Sequence, residues 1–308
     1  MNKTQATCLL CGEPGLTPTN KKPRDSTAHD ILKCPNCSHV QLYPLLSAEE
    51  EQEEYDNDTT VRLGKNSVKI SDGSDMATME EKFAPWTAAH VNLYFETLQN
   101  YANVLDLGAG YGFFMREIQK QPNRNFQIEG IEIGKFRLDN FVGGSAVHNV
   151  NILSQDIPPN LRHKYDCVIS MHLLEHISNP VLFLEKVKGL LKPHGEVIFE
   201  VPNLNCLLGE LCPEYKDFMY LYEHCSYYTA ETLRRAFEKA GYKIHEIATH
   251  EVFSIENHLH WIRNKVPYTK HHMLYMPDER LEWINEIYKK EIGKQGKGFV
   301  LTVRATPK

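Results

Sequence analysis

Along most of the chain, short apolar runs alternate with segments in which apolar residues recur at helical spacing. The apolar runs predict strands, which lie at residues 103–108, 126–133, 149–153, 166–170, 196–201, 242–247 and 298–304. The segments with helical spacing predict helices at residues 113–121, 179–191 and 230–240. Strands that alternate with helices in this way predict an α/β fold with a mostly parallel sheet.

Two regions depart from this alternation. Residues 251–297 carry helical patterns without an intervening strand, so we expect a helical insertion before the last strand. Residues 47–80 hold an acidic run and a stretch rich in glycine and serine. These features predict an acidic connector and linker between an N-terminal segment, residues 1–46, and the main domain, residues 81–308.

The N-terminal segment carries two C-x-x-C pairs, Cys8 with Cys11 and Cys34 with Cys37. Each pair turns two thiolates toward one point, and two pairs complete the four-sulfur tetrahedral shell that Zn²⁺ adopts in closed structural sites. The loop between the pairs is rich in proline, threonine and lysine and is too polar to form a core, so bound metal would have to stabilise it. We therefore predict a small zinc ribbon at residues 1–46.

Composition excludes several classes of protein. The 308 residues include 34 Lys+Arg and 40 Asp+Glu, and the formal net charge of −6 gives no general attraction for nucleic acid or anionic membranes. Hydrophobic residues make up 42% and charged residues 24%, as in ordinary globular proteins rather than disordered or fibrous ones. No apolar run reaches the roughly 20 residues of a membrane span, and the N-terminus lacks the apolar core of a signal peptide. We expect a cytoplasmic protein.

A glycine-rich turn, Gly-Ala-Gly-Tyr-Gly at residues 108–112, follows the first predicted sheet strand and precedes a helix. Glycines at such a turn let the backbone approach a bound nucleoside closely. Asp106 can order the turn or meet a cationic ligand, and Glu132 ends the next strand, where a carboxylate can accept both hydroxyls of a ribose. The G-x-G-x-G spacing differs from the G-x-G-x-x-G of dinucleotide sites, which argues against NAD.

These motifs, in this order, resemble those of the class I S-adenosylmethionine-dependent methyltransferases over about residues 80–250 and the last strand. The resemblance implies a Rossmann-like, mostly parallel sheet with helices on both faces, and S-adenosylmethionine as cofactor. Leu174-Glu175-His176 and Val201-Pro202-Asn203 match further family motifs. The cofactor-binding residues that the resemblance implies are Asp106, Gly108, Gly110, Gly112, Glu132, Asp156 and Ile157.

The N-terminal segment and a downstream cluster resemble a narrower group. Zinc-ribbon methyltransferases of carbohydrate and natural-product pathways show C-x-x-C-G, then C-x-x-C, a short apolar strand and proline. Residues Cys34 to Pro44 match the second part of this layout. Tyr222-Glu223-His224 is similar to a Tyr, Glu, His cluster of the nucleotide-sugar C-methyltransferases, with one residue missing between Tyr and Glu. The long C-terminal domain of those enzymes has no counterpart here. The resemblance thus implies a sugar or activated sugar as acceptor but argues against carbon methylation.

Methyl transfer to a hydroxyl requires alignment of the acceptor and removal of its proton. Open α/β sheets bind ligands at the carboxyl ends of their strands, and the candidate catalytic residues there are His172, Glu175, His176, Tyr222, Glu223 and His224. We predict His224 as the general base, because it follows an irregular stretch and imidazole is the most frequent general base. For His176, helix capping or packing is an equal alternative.

A second interpretation treats the same residues as metal ligands. His172-x-x-Glu175-His176 with His224 is similar to the Glu-x-x-Glu-His and later His that bind a divalent cation in small-RNA 3′-end 2′-O-methyltransferases and, in part, in ubiquinone-pathway O-methyltransferases. Here His172 replaces the first Glu, and nitrogen-rich ligation suits Zn, Fe or Ni better than Mg. This interpretation implies metal-assisted activation of a hydroxyl.

We therefore predict an S-adenosylmethionine-dependent methyltransferase that acts on a small polar acceptor, through a hydroxyl of a sugar or activated sugar. Metal-assisted RNA 2′-O-methylation and a non-catalytic adapter that binds the cofactor are the alternatives. The acidic net charge argues against RNA, and the intact glycine turn argues against an inactive domain. Beyond the small-molecule acceptor we expect neither nucleic acid nor membrane as a partner, and the sequence leaves oligomerisation open.

Overall fold

The computed structural model describes residues 6–24, 26–47, 50, 60–61, 68–69, 76–267 and 279–308. Most of the predicted connector and linker, residues 47–80, lies outside the described residues. Among the described helices, none combines the length and the apolar character that a membrane span requires.

The described strands and helices follow the predicted alternation from residue 103 onward. The strands are β1 (Thr17–Pro18), β2 (Asp30–Lys33), β3 (Val40–Tyr43), β4 (Thr60–Val61), β5 (Val68–Lys69), β6 (Asn103–Leu107), β7 (Gln127–Ile131), β8 (Val147–His148), β9 (Tyr165–Met171), β10 (Leu191–Pro202), β11 (Ser226–Tyr227), β12 (Tyr242–His250) and β13 (Val300–Pro307). The helices are α1 (Met76–Leu98), α2 (Phe113–Gln119), α3 (Lys135–Asp139), α4 (Pro180–Val187), α5 (Leu207–Leu211), α6 (Pro213–Phe218), α7 (Ala230–Lys239), α8 (Ile255–Asn264) and α9 (Glu282–Lys294). Short 3₁₀ helices lie at Leu174–His176, Lys188–Leu190 and Glu279–Leu281.

The central sheet has seven strands in the order β12-β13-β10-β9-β6-β7-β8. β6 pairs in parallel with β7 and with β9, so that Asp106 lies opposite Gly130 on one side and Ile169 on the other. β7 in turn pairs in parallel with β8. The direction in which successive strands are added to the sheet therefore reverses beside β6. This makes the carboxyl end of β6 a topological switch point, where open sheets bind ligands. These features confirm the predicted Rossmann-like α/β fold.

One predicted strand is wrong in position. The strand expected at residues 149–153 is the two-residue β8, which ends at His148. Downstream, the Asn151 side chain accepts a hydrogen bond from the backbone N–H of Leu153 at 3.0 Å. Such a local side-chain turn satisfies the backbone without a neighbouring strand, so the apolar residues there do not extend the sheet.

The chain divides into two compact units. One comprises Met1–Leu46, His172–Val181 and Glu200–Val303, and the other comprises Ser47–Met171, Leu182–Phe199 and Arg304–Lys308. The strands β10 and β13 therefore contribute residues to both units. The predicted boundaries at residues 46 and 80 stay predictions.

In the unit that holds β6 to β9, the core forms where helices α1 and α2 pack against strand residues. The apolar face of α1 presents Val91, Tyr94 and Leu98, spaced three and four residues apart as one helix face requires, and all three are buried. They join Met115 and Ile118 of α2 in one apolar cluster. This cluster supports the glycine turn, which lies directly between β6 and α2.

In the other unit, the N-terminal segment builds a four-stranded sheet in the order β1-β2-β3-β11. β3 pairs antiparallel with β2 and with β11, which comes from a distant part of the chain. Ile31 and Leu42 are completely buried and pack in one cluster with Tyr220 and Tyr227. The cysteine-bearing segment therefore shares its sheet and its core with residues that follow β10.

Candidate active site

The glycine turn has backbone conformations that favour glycine. Gly108, Gly110 and Gly112 have φ values of 85°, 57° and 80°, in the left-handed region. At Gly112 a Cβ atom would lie 2.6 Å from the Cα of Gly143, so no larger residue fits there. At Gly110, apart from its two chain neighbours, no atom of the described residues lies within 4 Å of such a Cβ, and the turn therefore leaves open space beside its backbone.

Glu132 ties this turn to the segment after β7. Its carboxylate is buried and accepts three backbone N–H groups, from Gly110, Ile133 and Gly134, each at 2.8 Å. The guanidinium of Arg137 lies 3.8 Å away. A carboxylate offers about four lone-pair sites, so a ligand hydroxyl can still be accepted. The geometry is compatible with the ribose contact implied for this residue.

Asp106 is a buried carboxyl group beside Glu132. It is 2% exposed, and burial together with the charge of Glu132 raises its pKa to about 7. A bound cation would favour the ionised form of such a group. S-adenosylmethionine carries a sulfonium and an ammonium group, so the chemistry of this site fits that cofactor.

The other two implied cofactor residues lie in the loop between β8 and β9. Ile157 is buried, and its carbonyl oxygen accepts a hydrogen bond from the side chain of Arg162 at 2.6 Å. Asp156 is exposed. An exposed carboxylate beside a buried apolar residue suits the edge and face of an adenine, but this assignment stays a prediction.

His172, directly after β9, is held between two buried carboxylates. Its Nδ1 lies 3.2 Å from Oε1 of Glu175, and its Nε2 lies 3.2 Å from Oε1 of Glu200. Burial alone would lower the pKa of His172, but the two carboxylates raise it to about 10. His172 is therefore an imidazolium at neutral pH. Its backbone has a φ of 52°, in the left-handed region.

Glu175, His176 and His224 form a second group in the same unit. Each offers one atom that could bind a metal, and these three atoms all lie within 4.8 Å of one another. The rings of His176 and His224 meet edge to face, with centroids 4.7 Å apart. The structure thus brings together three of the predicted residues from two segments of the chain, while His172 contacts the group through Glu175.

The electrostatic environment keeps His224 uncharged. Its side chain is buried, and burial, together with repulsion from His176 when that ring is protonated and from the positive charges of His172 and Arg24, lowers its pKa well below the usual range. Oε2 of Glu175 is also buried, and within the described part of the chain it has no hydrogen-bond partner. The group therefore presents a neutral imidazole and an unpartnered carboxylate oxygen.

Tyr222 and Glu223, the other two predicted catalytic residues, have different surroundings. The Tyr222 ring lies 6.2 Å from that of His29, in the N-terminal segment. Glu223 contributes its backbone carbonyl oxygen, which lies 3.0 Å from Nδ1 of His176. The catalytic roles predicted for Tyr222 and Glu223 stay predictions.

Sequence reasoning missed Glu200. This residue lies in β10 within the run Val-Ile-Phe-Glu-Val, and it is 1% exposed. A charged residue in the middle of an otherwise apolar strand is rarely buried without a partner, so its position carried the signal. Its partner, His172, follows a different strand.

The four N-terminal cysteines fit a zinc ion. All four are free thiols, and their sulfur atoms lie within 4.8 Å of one another. Cys8 and Cys37 are 3.4 Å apart and Cys11 and Cys34 are 3.5 Å apart. Zn–S bonds of about 2.3 Å in a tetrahedron give sulfur separations near these values.

Comparison with known proteins identifies the family. Residues 79–247, more than half of the chain, match a family described as a methyltransferase domain. A ubiquinone biosynthesis O-methyltransferase of Paraburkholderia phytofirmans is 30% identical over 125 residues, which cover 39% of this chain and 50% of that protein. A tRNA U34 carboxymethyltransferase of Alteromonas mediterranea is 31% identical over 107 residues, 32% of each chain. This chain thus spans half or less of the length of these two relatives.

A solved structure agrees with the fold. A SAM-dependent methyltransferase of Thermotoga maritima superposes with a TM-score of 0.50 and 15% identity, over 76% of this chain and 97% of that one. The sheet order and the glycine turn are those expected of such enzymes. The chain therefore belongs to the class I S-adenosylmethionine-dependent methyltransferases.

Proposed function

We propose that this chain transfers the methyl group of S-adenosylmethionine to a hydroxyl of a small polar acceptor, with His224 as general base. The observation that supports this proposal is the buried, uncharged imidazole of His224 beside His176 and Glu175. One relative is itself named an O-methyltransferase. Neither relative is named for a sugar, so a sugar or activated sugar as acceptor rests on the sequence resemblance alone.

Bound S-adenosylmethionine supplies a methyl group already activated on a sulfonium. The residues that would hold the cofactor are the glycines of the turn, Glu132 and Asp106. Glu132 fixes the turn through its three backbone contacts, and the ionised Asp106 would balance a positive charge. Positioning of this kind accounts for much of the acceleration that an enzyme gives to a displacement reaction.

His224 would remove the acceptor proton. At neutral pH the ring is in the basic form. The nearby carboxylate of Glu175 would stabilise the imidazolium that forms, against the burial and the positive charges that disfavour it. Its loss should cost about 10² to 10⁴ in rate, the usual contribution of a general base.

A metal-assisted reaction is a second candidate, favoured by the unpartnered Oε2 of Glu175. Two neutral imidazoles and one carboxylate are a common ligand set for Zn²⁺ or Fe²⁺. His172 would not be a ligand, in contrast to the sequence interpretation, because both of its nitrogens face carboxylates. It would instead orient Glu175, as residues behind metal ligands often do.

The test compares His224→Ala with His245→Ala, an exposed histidine of β12. Formation of S-adenosylhomocysteine is measured with a panel of phenols and nucleotide sugars, and cofactor affinity is measured by calorimetry. We expect His224→Ala alone to lose at least a hundredfold in kcat, with unchanged cofactor affinity. Normal turnover by His224→Ala would contradict both forms of the proposal.

Metal dependence separates the two forms. Chelation that leaves one zinc ion per chain should leave activity intact if His224 is a base. If Glu175, His176 and His224 hold a metal, the same treatment removes a second ion and abolishes activity. Added Zn²⁺ or Fe²⁺ would then restore the wild type but not Glu175→Ala.

We also propose that Cys8, Cys11, Cys34 and Cys37 bind one structural zinc ion, within a ribbon at residues 1–46. Four thiolates leave no open position on the metal, which is typical of structural rather than catalytic sites. The short separations of the sulfur atoms support this proposal.

A further inference from the structure

We propose that His39, two residues after the last ribbon cysteine, is a positioning residue for the methyl-transfer site. The inference rests on the function proposed above, because it concerns how the segment that carries His224 is held. It assigns the ribbon a role in catalysis rather than in partner binding.

The first link is a strand pairing. β11 begins two residues after His224 and pairs antiparallel with β3, with Ser226 opposite Gln41 and Tyr227 opposite Val40. The backbone N–H of Leu42 donates to the carbonyl oxygen of Cys225 at 3.1 Å. The strand that follows the second cysteine pair therefore holds the backbone directly after His224.

The second link is the side chain of His39. It is completely buried, and its Nε2 lies 3.2 Å from Oγ of Ser226. The ring also lies 5.6 Å from that of Tyr228. His39 thus contacts Ser226, the first residue of β11, and Tyr228, the residue directly after β11.

The backbone of His39 belongs to the cysteine turn. Its carbonyl oxygen accepts a hydrogen bond from the N–H of Cys34 at 2.8 Å. His39 therefore joins the cysteine turn to β11: its backbone bonds to Cys34, and its imidazole contacts Ser226.

The third link leads from β11 to His224. The ring of Tyr227, the second residue of β11, lies 6.0 Å from the ring of His224. The Tyr227 hydroxyl donates a hydrogen bond to the backbone carbonyl oxygen of Leu221, three residues before His224, at 2.6 Å. His39 therefore contacts the first residue of β11, and the second residue of β11 lies beside the proposed base.

The physical reason for this arrangement is the register of β11. β11 is only two residues long, so few backbone hydrogen bonds fix its pairing with β3. A slip of one residue would turn every side chain of the segment to the opposite face. The directional contact between His39 and Ser226 prevents such a slip, and an apolar residue at position 39 would fill the space without fixing the register.

The test uses His39→Leu, the conservative His39→Gln, and Ser226→Ala. The control is Thr19→Val, which removes a ribbon hydrogen bond from Thr19 Oγ1 to the carbonyl of Ile31. For each variant we measure zinc content, S-adenosylhomocysteine affinity, kcat and KM, and amide hydrogen exchange of residues 224–228 without cofactor. The exchange measurement needs neither the acceptor nor the bound cofactor.

We expect His39→Leu and Ser226→Ala each to speed exchange at residues 224–228 at least tenfold and to lower kcat at least tenfold. Zinc content and S-adenosylhomocysteine affinity should stay within twofold of the wild type. The double variant, His39→Leu with Ser226→Ala, should show the same exchange rate and kcat as either single variant, because both substitutions remove the same contact. His39→Gln should recover most of the rate, and Thr19→Val should behave as the wild type.

Unchanged exchange at residues 224–228 in both single variants overturns the inference. Loss of zinc by His39→Leu also overturns it, because the role would then be to build the metal site. If His39→Leu does not fold, Ser226→Ala decides alone by the same measurements. The function proposed for His224 fails separately, through normal turnover of His224→Ala, and the exchange result does not depend on it.

Discussion

The Nδ1 nitrogen of His176 lies 3.0 Å from the backbone carbonyl oxygen of Glu223, the residue before His224. Because a carbonyl oxygen can only accept, Nδ1 carries the hydrogen, and in the neutral form of an imidazole this leaves the lone pair on Nε2. Both a proton acceptor and a metal ligand need this tautomer. The contact therefore fixes the tautomer that His176 needs as a metal ligand. In the base form of the proposed mechanism it holds the His176 ring against that of His224.

This contact predicts a difference between two substitutions of His176. Asparagine can place its amide N–H₂ near the former Nδ1 and keep the bond to Glu223, whereas alanine cannot. We expect both His176→Asn and His176→Ala to lose at least tenfold in kcat, since both lack Nε2. Only His176→Ala should also be destabilised, by about 1 kcal/mol for the lost hydrogen bond. Thermal unfolding and steady-state rates check this, and a fully active His176→Asn would show that the residue only supports the structure.

The sequence predicted the elements that local patterns determine. Apolar runs marked β6, β7 and β9, and positive φ values at the glycine turn agree with the choice of glycine at Gly108, Gly110 and Gly112. The proximity of the two cysteine pairs was also predictable, because C-x-x-C spacing is a local signal. These features need no knowledge of distant contacts.

Other features depend on contacts between distant segments, and local patterns do not reveal them. The pairing of β3 with β11 joins residues about 185 positions apart, and β11 is too short to give a strand signal. The placement of His172 between Glu175 and Glu200 likewise requires the ends of two different strands to meet. For this reason the sequence pattern alone places His172 among potential metal ligands, although its nitrogens face carboxylates.

The three backbone contacts of Glu132 predict a strong effect on cofactor binding. Glutamine at this position keeps one oxygen but turns an N–H₂ group toward a backbone N–H, because Gly110 and Ile133 donate to different carboxylate oxygens. We expect Glu132→Gln to weaken S-adenosylmethionine binding at least tenfold, since hydrogen bonds to charged groups contribute roughly 1.5 to 3 kcal/mol. Calorimetry measures the affinity. Asp139→Asn, which alters an exposed ion pair with Lys135, should bind normally.

The sulfur cluster predicts one zinc ion per chain. Cys34→Ser should lose most of the zinc and lower the unfolding temperature, because metal binding stabilises a segment with little core of its own. Cys167→Ala, a buried cysteine of β9 outside the cluster, should keep its zinc. Elemental analysis after mild chelation checks both. A zinc content in Cys34→Ser equal to that of the wild type would rule out the four-cysteine site.

Glu129 predicts sensitivity to acid. Burial alone would raise the pKa of Glu129, but hydrogen bonds from Lys164, His148 and Tyr165 hold it at about 2. A depressed carboxyl pKa contributes stability above the unfolded value, and this stability is lost as pH falls from about 4.5 toward 2. We expect Glu129→Gln to be less stable at pH 7 and to show a weaker loss of stability over that range. Denaturant unfolding at several pH values measures the difference, and parallel curves would contradict the assignment.

Asp106 predicts the opposite dependence on pH. Its pKa is raised to about 7 by burial and by the charge of Glu132, so between about pH 4 and pH 7 the folded protein binds more protons than the unfolded chain. The stability of the ligand-free protein due to this residue therefore falls as pH rises over that range. Asp106→Asn, which cannot ionise, should remove this part of the pH dependence.

A cationic ligand should couple to the same ionisation. S-adenosylhomocysteine carries an ammonium group, so its binding would favour ionised Asp106 and release a proton wherever the free protein holds that carboxyl protonated. We expect the affinity of the wild type for S-adenosylhomocysteine to rise between pH 6 and pH 8, with proton uptake by the buffer during titration. Asp106→Asn should bind S-adenosylhomocysteine more weakly, and its affinity should change little over this range. Calorimetry in two buffers of different ionisation enthalpy measures the proton release directly. Equal affinities and no proton release in the wild type would show that the charge of the cofactor is balanced elsewhere, and Asp106 would then serve only to order the glycine turn.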